Sequence, residues 1–276
     1  MFGSASGQGA APSSGVRLPL IAANWKMNTT YSEGVQLAQG VIDRLERTWR
    51  RRCDVVLCPP FTVLRGVSNV IAFDKSWAQV GAQDCHWEPN GAFTGEVSIA
   101  MLKDLDCAYC IVGHSERRAY FGETDEVVAR KTAALLSQGL TPIVCVGEPR
   151  EVYEAGGTVE HVVAQLRGAL AGQVASLVGP AGIVVAYEPV WAIGSGQVPT
   201  PEHAQQVAAA IRATLAELAG APAAQASRVL YGGSVKAGNV AAFTGQPDVD
   251  GALVGGASLD AASFVDIIRG VLGEDA

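Results

Sequence analysis

The sequence predicts an α/β protein folded as a single closed (β/α)₈ barrel. Short apolar runs rich in Val and Ile recur along the chain, and a longer segment with helical spacing follows each of them. These runs lack polar alternation, which indicates parallel strands buried on both faces. The chain has 276 residues, close to the roughly 250 that such a barrel needs. Eight strand-helix units in this length favour a closed barrel over an open sheet.

Each strand is expected within one apolar run. No shift in composition marks a boundary between domains, so one barrel domain is predicted over residues 17–276. In chain order the predicted strands are residues 18–23, 54–58, 78–83, 108–113, 141–146, 182–187, 228–231 and 251–254.

Capping residues predict where several helices begin and end. Thr124 can cap a helix whose first turn is acidic, and Gly139 is suited to end it because glycine adopts left-handed backbone easily. Thr200 precedes Pro201, and proline is favoured at the first helical position. The helical spacing then continues to about Leu218. These signals predict helices after the fourth and the sixth strands.

The N-terminus is predicted to be a disordered tail. Residues 1–16 are mostly glycine, serine and alanine, with neither a basic start nor an apolar block. This composition is not that of a secretory signal peptide.

The cysteines indicate a reducing compartment, and the cytoplasm is therefore expected. Three of the six cysteines lie inside apolar runs, where a free thiol behaves as a small hydrophobic group. Cys107 and Cys110 have the CxxC spacing. Residues three apart on a strand point to opposite faces, however, so neither a shared metal ion nor a disulfide is expected from them.

Charge and hydropathy exclude two classes of partner. The formal net charge is −7 and the sequence pI is about 5.1. No cluster of basic residues interleaved with aromatics is found, so nucleic acid is not an expected partner. No apolar run reaches membrane-spanning length, so a membrane is not expected either.

Glu188 is the first candidate for chemistry, because it places a carboxylate at the end of the sixth predicted strand. In the segment that follows, Gly194 and Gly196 let backbone N–H groups approach an anion. Trp191 and Ile193 give this segment apolar surface to bury if it folds over a ligand. The pattern is consistent with a base beneath a lid, residues 189–198, and also with an ordinary strand end and turn.

Polar residues and glycines follow most of the predicted strands. The carboxyl ends of barrel strands meet at one mouth, so these residues are expected to converge. They comprise carboxylates, an imidazole and a lysine, with glycine-rich turns of the kind that bind phosphate near the last two strands. The residues are Asn24, Lys26, Gln83, His114, Glu148, Glu188, Ser234 and Gly255-Gly256, and the turns are 194–196, 232–234 and 255–256.

Motifs that other chemistries require are not found. The sequence has no cluster with metal-ligand spacing, no dinucleotide-binding fingerprint, no nucleotide phosphate loop and no nucleophile elbow. Proton transfer on a small phosphorylated substrate, with no cofactor and no metal ion, is therefore predicted.

Five motifs, taken together, resemble the triosephosphate isomerase family. They stand in the order of that family on the expected strand ends, and the resemblance covers about residues 17–272. It implies a TIM barrel that interconverts dihydroxyacetone phosphate and D-glyceraldehyde 3-phosphate through an enediolate, in glycolysis and gluconeogenesis. The motifs are NWKMN at 24–28, GAFTGE at 91–96, GHSERR at 113–118, YEPVWAIG at 187–194 and YGGSV at 231–235.

The resemblance assigns roles to four candidate catalytic residues. Glu188 would be the base that moves a proton between C1 and C2, and His114 the electrophile. The family is a well-known case of pKa tuning, in which the field of a helix N-terminus disfavours the imidazolium, so a neutral imidazole is expected. Lys26 would supply positive charge to the phosphate and enediolate, with Asn24 as a neutral donor beside it.

The resemblance also assigns phosphate-binding and supporting residues. Backbone N–H groups would bind the phosphate at Gly194, Ser234, Gly255 and Gly256. The supporting residues are Glu116, which would pair with Lys26 in the free enzyme, Cys145, which would pack behind the base, and Tyr231, which with Ser234 would hold the closed lid.

Residues 83–96 form a long polar loop, and in the family this loop reaches into a second subunit. The resemblance therefore implies a homodimer in which Thr94 completes the site of the neighbouring subunit.

Several positions depart from the family pattern. Ala23 replaces a glycine and Ser195 replaces a threonine, and both changes are small. Residues 197–199 are Gln-Val-Pro where the family usually has lysine, a small hydroxyl residue and alanine at the second hinge of the lid. This change bears on the speed of lid closure rather than on the chemistry.

Two other functions are compatible with the same residues. A related isomerase of a four-carbon ketose phosphate would use the same base and phosphate site, and would differ in the room beside Ile193 and Leu253. A non-catalytic phosphate-binding barrel is the other alternative. Lys26, His114 and Glu188 argue against it, because a binding protein has no need of a base aimed at carbon.

Overall fold

The computed structural model describes residues 17–172 and 183–274. Within these residues, eight parallel strands form a closed barrel in sequential order. The first and last strands close it, with Leu20 aligned to Gly251. The predicted fold class is therefore confirmed. The predicted disordered tail, residues 1–16, and the predicted start of the sixth strand at Gly182 lie outside the described residues.

The strands follow the apolar runs closely. Four of them, β2, β5, β7 and β8, have the predicted bounds, and the others differ by one or two residues. In chain order the strands are β1 (Leu20–Asn24), β2 (Asp54–Cys58), β3 (Gln79–Ala82), β4 (Cys107–Val112), β5 (Thr141–Val146), β6 (Val184–Tyr187), β7 (Arg228–Tyr231) and β8 (Gly251–Val254).

Helices follow the strands and cover the outside of the barrel. Helix α5 begins after Thr124, whose hydroxyl accepts the Val127 N–H at 3.4 Å, and α8 begins after Thr200, whose hydroxyl accepts the His203 N–H at 3.2 Å. Both predicted caps are confirmed. The helices within the described residues are α1 (Tyr31–Ile42), α2 (Leu64–Phe73), α3 (Ile99–Asp104), α4 (Ser115–Phe121), α5 (Asp125–Ser137), α6 (Arg150–Glu154), α7 (Thr158–Ala169), α8 (Pro201–Ala219), α9 (Ala221–Ala226), α10 (Ala237–Thr244) and α11 (Ala261–Leu272).

The apolar core has two layers. Side chains that point inward fill the barrel, among them Leu20, Val56, Ile111 and Leu230. A larger layer lies between the strands and the surrounding helices. Strands packed on both faces need no polar alternation, which explains their continuous apolar sequence. None of the described helices has the length and apolar character needed to span a membrane.

The prediction that Cys107 and Cys110 point to opposite faces is wrong. The register between β3 and β4 shifts by one residue, with Val80 aligned to Cys107 but Gly81 aligned to Tyr109. This bulge at the start of β4 breaks the alternation, and both cysteines pack in the outer layer. All six cysteines are buried and free.

Candidate active site

A cavity of about 350 Å³ lies at the carboxyl ends of the strands. The barrel brings residues from β1, β4, β6, β7 and β8 to this one mouth, although they are far apart in sequence. All four candidate catalytic residues and all four candidate phosphate-binding residues line the cavity. They are Asn24, Lys26, His114, Glu188, Gly194, Ser234, Gly255 and Gly256.

Lys26 reaches the cavity from a strained backbone conformation. Its φ of 53° lies in the left-handed region, which a residue with a side chain adopts at a cost of about 1–3 kcal/mol. Asn24 Oδ1 accepts the Lys26 N–H at 3.0 Å, and Gln83 Nε2 donates to Lys26 O at 2.8 Å and to Cys58 O at 2.9 Å. These bonds hold the strained turn in place. The side-chain nitrogen of Asn24 is not used in them and remains a donor.

The ammonium of Lys26 pairs with the carboxylate of Glu116, the second residue of α4. Lys26 Nζ lies 2.8 Å from Glu116 Oε1. The side chains are 29 % and 42 % exposed. Partly exposed ion pairs contribute little to stability. An incoming anion can therefore compete with Glu116 for Lys26 at small cost.

Glu188 follows β6, and its carboxylate is held by the turn that follows β4. Oε1 lies 2.9 Å from His114 Nε2 and 3.3 Å from the Ser115 hydroxyl, while Oε2 accepts the Ser115 N–H at 3.0 Å. Glu188 and His114 are 2 % and 5 % exposed. The carboxylate is thus a buried acceptor whose present partners are an imidazole and the first turn of α4.

The ring of His114 has a defined tautomer in this arrangement. Nδ1 accepts the Glu116 N–H at 3.2 Å, so the proton of the neutral ring lies on Nε2 and points to Glu188. The same N–H opposes protonation of Nδ1, as expected for an imidazole at a helix N-terminus.

The pKa values of the buried pair move in opposite directions. Burial raises the pKa of Glu188, but the His114 ring, the Ser115 N–H and the Lys26 ammonium outweigh it and lower the pKa below its ordinary value. Burial lowers the pKa of His114, but the carboxylates of Glu188 and Glu116 outweigh it and raise the pKa. The expected depression of the His114 pKa is therefore not seen while Glu188 is bound to the ring.

Close packing behind Glu188 fixes its backbone. A side chain at Gly147 would place Cβ 1.7 Å from Glu188 O, and one at Gly232 would place Cβ 3.0 Å from Glu188 Cγ. Cys145 lies fully buried on the barrel side. Burial and the neighbouring carboxylate raise the pKa of the Cys145 thiol well above its ordinary value, so the thiol is uncharged at neutral pH.

The glycine-rich turn after β8 lies next to the lysine, and the turn after β7 lines the same cavity. A Cβ built on Gly255 would lie 3.8 Å from Lys26 Nζ. Gly194, at the middle of the lid, has a φ of 71°, which favours glycine. The cavity therefore has a cation and flexible backbone donors on one side and a carboxylate with an imidazole on the other. This arrangement suits proton transfer on a small molecule that carries a phosphate.

Comparison with known proteins decides the family. A sequence profile described as Triosephosphate isomerase matches residues 19–271. The chain belongs to the triosephosphate isomerase family. The resemblance of the five motifs is thereby confirmed.

Several bacterial relatives in this family match the chain over nearly its whole length. The triosephosphate isomerase of Corynebacterium diphtheriae is 52 % identical over 251 residues, which are 91 % of this chain and 96 % of the relative. That of Corynebacterium efficiens is 50 % identical, over 91 % of this chain and 95 % of the relative. That of Mycobacterium tuberculosis H37Rv is 51 % identical with the same coverage. Each alignment thus covers about nine tenths of this chain.

In this member of the triosephosphate isomerase family, the first half of the lid is anchored by Glu148, which follows β5. Glu148 Oε1 accepts the indole N–H of Trp191 at 2.6 Å, the hydroxyl of Tyr187 at 3.1 Å and that of Thr158 at 3.4 Å. His203 Nε2 lies 3.1 Å from the same Tyr187 hydroxyl. A fully buried carboxylate therefore holds the lid to the barrel.

Tyr231 lies beneath the cavity, and its hydroxyl is buried with no hydrogen-bond partner among the described residues. Its ring stacks on Phe243 with centroids 4.0 Å apart. The proposed bond between Tyr231 and a closed lid is not formed in this arrangement, and that role stays a prediction. Thr94 is exposed and does not line this cavity. Its role in a second subunit likewise stays a prediction.

Several residues that support the site have roles that the sequence did not predict. Gln83 and Glu148 were identified only as polar residues at strand ends, and Ser115 only as part of a motif. Gly147 needs its glycine for close backbone approach, which no local pattern reveals. Within the described residues, no group of three or more His, Cys, Asp or Glu side chains is placed to hold a metal ion.

Proposed function

We propose that this isomerase interconverts dihydroxyacetone phosphate and D-glyceraldehyde 3-phosphate, a step of glycolysis and gluconeogenesis. One observation carries the proposal: Lys26, His114 and Glu188 line one cavity with the glycine-rich turns after β7 and β8. The relatives that match the chain carry the name triosephosphate isomerase.

Glu188 is the proposed base. It takes a proton from C1 of the ketose phosphate and delivers it to C2. To do this, its carboxylate must give up its bonds to His114 and Ser115. Those bonds lower the pKa of Glu188 and burial raises it, so releasing them in a dry site makes the carboxylate a stronger base.

His114 is the proposed electrophile. When Glu188 leaves Nε2, that N–H is free to donate to the carbonyl oxygen and then to the enediolate oxygen. The carboxylate that raises the pKa of His114 has then moved away, while the Glu116 N–H still occupies Nδ1. The ring therefore stays neutral during the reaction, which suits an electrophile that donates a hydrogen bond without losing its proton.

Lys26 and Asn24 stabilise negative charge in the proposed mechanism. Lys26 exchanges Glu116 for the phosphate and the developing enediolate, and Asn24 donates from its amide. Backbone N–H groups of Gly194, Ser234, Gly255 and Gly256 bind the phosphate. Closure of the lid brings Gly194 to the phosphate and excludes water, which protects the enediolate.

A coupled enzyme assay tests the substrate. Purified protein is assayed with dihydroxyacetone phosphate, with D-glyceraldehyde 3-phosphate and with a four-carbon ketose phosphate. We expect kcat/KM for the three-carbon substrates to be at least about a hundredfold larger, since Ile193 and Leu253 border the cavity. Preference for the four-carbon compound would assign the chain to the related isomerase. No turnover of any of them would contradict the proposal.

We also propose that the chain functions as a homodimer. Large apolar side chains are exposed in segments next to the site: Met27 follows Lys26, Tyr120 and Phe121 end α4, and Phe93 lies in the loop of residues 83–96. Solvent exposure of Met27 reaches 96 %. Burial of such surface in a partner is a common reason for its presence.

Phe93→Asp tests this interface by placing a charge in it. Light scattering should show monomers, and activity should fall strongly because Thr94 no longer reaches the neighbouring site. A fully active monomer would show that activity does not require the interface.

The cytoplasm is the proposed location, supported by the six free cysteines.

A further inference from the structure

We propose that Arg150 is a positioning residue of the lid: its guanidinium joins the two limbs of the lid and so determines how the lid presents Gly194 to the substrate phosphate. The inference rests on the proposed function for its kinetic consequences. Its structural part concerns the lid alone and is tested without turnover.

Arg150 is the first residue of α6, in the segment that follows β5. Its Nη2 donates to Trp191 O at 2.9 Å and to Gln197 Oε1 at 3.2 Å. Trp191 lies on the limb that leaves β6, and Gln197 lies on the limb that leads to α8. Gly194, at the middle of the lid, lies between them in sequence. One cationic group outside the lid therefore spans its base.

The second limb has few other ties to the barrel. Within residues 17–172 and 183–274, the remaining hydrogen bonds of residues 194–198 stay inside the lid: Ser195 donates from its N–H and hydroxyl to Ala192 O, and Gln197 N–H donates to the Ser195 hydroxyl. The bond from Arg150 to Gln197 connects this limb to α6. Its loss would leave Gln197 held only through Ser195 and Ala192, within the lid itself.

The first limb is held by the same helix. Tyr153 lies three residues after Arg150 on α6, so both side chains share a face. The Tyr153 ring stacks on the Trp191 indole with centroids 3.8 Å apart and planes at 13°. Glu148 accepts the indole N–H. Trp191 is thus held at its carbonyl, at one ring face and at its N–H, and the α6 segment forms a platform for the lid.

Arginine suits this task better than lysine does. A guanidinium is planar, and the two N–H groups of one nitrogen point in fixed directions, so one side chain can bind two acceptors in a defined geometry. The alternative partner of Arg150 on its own helix is Glu154, at 3.7 Å and largely exposed. That contact is loose, and the lid acceptors are closer.

The proposal predicts weaker phosphate binding when Arg150 is removed. A lid whose second limb is no longer tied to α6 loses more conformational entropy when it closes on the phosphate. Arg150→Ala should raise KM and the Kd for 2-phosphoglycolate by about three- to tenfold, the size expected for exposed hydrogen bonds from a charged group. The pH profile should be unchanged, because Arg150 contacts neither Glu188 nor His114.

Four variants and one matched control test the role. Arg150→Ala, Gln197→Ala and the double variant form a cycle, and Arg150→Lys tests the need for two defined donors. Arg167→Ala is the control: Arg167 lies on α7, pairs with Glu217 on α8, and its side chain has the same 44 % exposure as that of Arg150. The measurements are kcat, KM, Kd for 2-phosphoglycolate and hydrogen–deuterium exchange of residues 189–199 without ligand.

We expect faster hydrogen–deuterium exchange of the lid in Arg150→Ala and Gln197→Ala. Arg150→Lys should restore part of the wild-type protection, and Arg167→Ala should exchange as the wild type does. The double variant should be no worse than Arg150→Ala, since Arg150→Ala already removes the bond that Gln197→Ala breaks. Equal exchange and equal Kd in Arg150→Ala and Arg167→Ala would overturn the inference, as would additive effects in the double variant. Exchange of the ligand-free lid does not depend on turnover, so failure of the proposed function would be seen separately, in the wild-type assay.

Discussion

Two clusters of charged side chains meet at α4, and they differ in what their charges contact. The site cluster borders the cavity, whereas the buried cluster lies inside the protein at the end of β3. Neighbouring residues of α4 belong to different clusters, Glu116 to the first and Arg117 to the second. The site cluster is Lys26, His114, Glu116 and Glu188, and the buried cluster is Asp84, Arg117, Glu123 and Lys131.

The charges of the buried cluster pair with one another. Lys131 is 3 % exposed, lies 2.6 Å from Asp84 and also contacts Glu123. Arg117 lies 2.9 Å from Asp84 and 2.5 Å from Glu123. Burial lowers the pKa of Lys131, but the two carboxylates outweigh it and raise the pKa, so the ammonium stays charged. Two cations balance two anions and tie β3 to α4 and α5.

The charges of the site cluster have partners that a substrate can replace. Lys26 is paired with a half-exposed carboxylate, and the partners of Glu188 are His114 and Ser115 at the cavity wall. Similar ion pairs therefore serve different purposes in the two clusters. The ion pairs of the buried cluster fix the position of the turn that carries His114. The ion pairs of the site cluster border the cavity, where a substrate can replace one partner.

The largest expected effect is on turnover, from Glu188→Gln. The amide keeps the shape of the side chain but cannot take a proton, so kcat should fall by at least the roughly 10² to 10⁴ typical of a lost general base. Binding of 2-phosphoglycolate should persist. Steady-state kinetics and calorimetry measure the two properties. A variant within tenfold of wild type would show that another residue takes the proton.

Lys131→Met should instead act on stability. Removing Lys131 leaves two buried carboxylates with a single cation, Arg117, and breaking a buried ion pair typically costs about 3–5 kcal/mol of unfolding free energy. Denaturant unfolding measures this loss. The reciprocal control is Lys26→Met, which breaks a partly exposed pair and should cost about 1 kcal/mol or less, while turnover collapses. Equal stability losses in the two variants would remove the distinction between the clusters.

A smaller effect concerns the titration of His114. Its pKa is raised in the free protein by Glu188, against the effect of burial, so the pKa should fall in Glu188→Gln, where the carboxylate is absent. Nitrogen NMR of the imidazole measures both values. An unchanged pKa would show that the pair does not control the ring.

The contact between Glu188 and His114 also predicts that kcat/KM and kcat of the wild-type enzyme decline at different acidic pH values. As the pH falls through the raised pKa of His114, the free enzyme gains a proton and kcat/KM declines. In the complex Glu188 has left the ring, so kcat should decline only at lower pH. A decline of kcat and kcat/KM at the same acidic pH would contradict the proposed release of Glu188 from His114.

The smallest expected effect is from chelation. In neither cluster, nor elsewhere in the part of the chain that the structure describes, are three His, Cys, Asp or Glu side chains arranged so that they could hold a metal ion. Incubation with EDTA should leave kcat and KM unchanged. Loss of activity that added metal restores would mean that carboxylates of the site cluster serve as ligands, and the proposed roles of Lys26 and His114 would need revision.

The apolar pattern of the sequence predicts the barrel, and the ends of the predicted strands bring the candidate site residues together. Strands buried on both faces must be continuously apolar, so their positions are encoded locally, and β2, β5, β7 and β8 have the predicted bounds. The caps at Thr124 and Thr200 are local as well. Residues at strand ends must meet at one mouth, and all eight candidate catalytic and phosphate-binding residues line the cavity there.

Contacts between side chains on different elements depend on the folded barrel and could not be predicted from local patterns. The bulge at the start of β4 depends on its register with β3 and reversed the expectation for Cys107 and Cys110. Glu188 binds Ser115, which is 73 residues away in sequence, and Arg150 binds the lid 41 and 47 residues further along. Local sequence patterns predict the face of its own strand or helix on which a side chain lies. Contacts between elements depend on strand register and helix packing, which the closed barrel sets only when all its strands are in place.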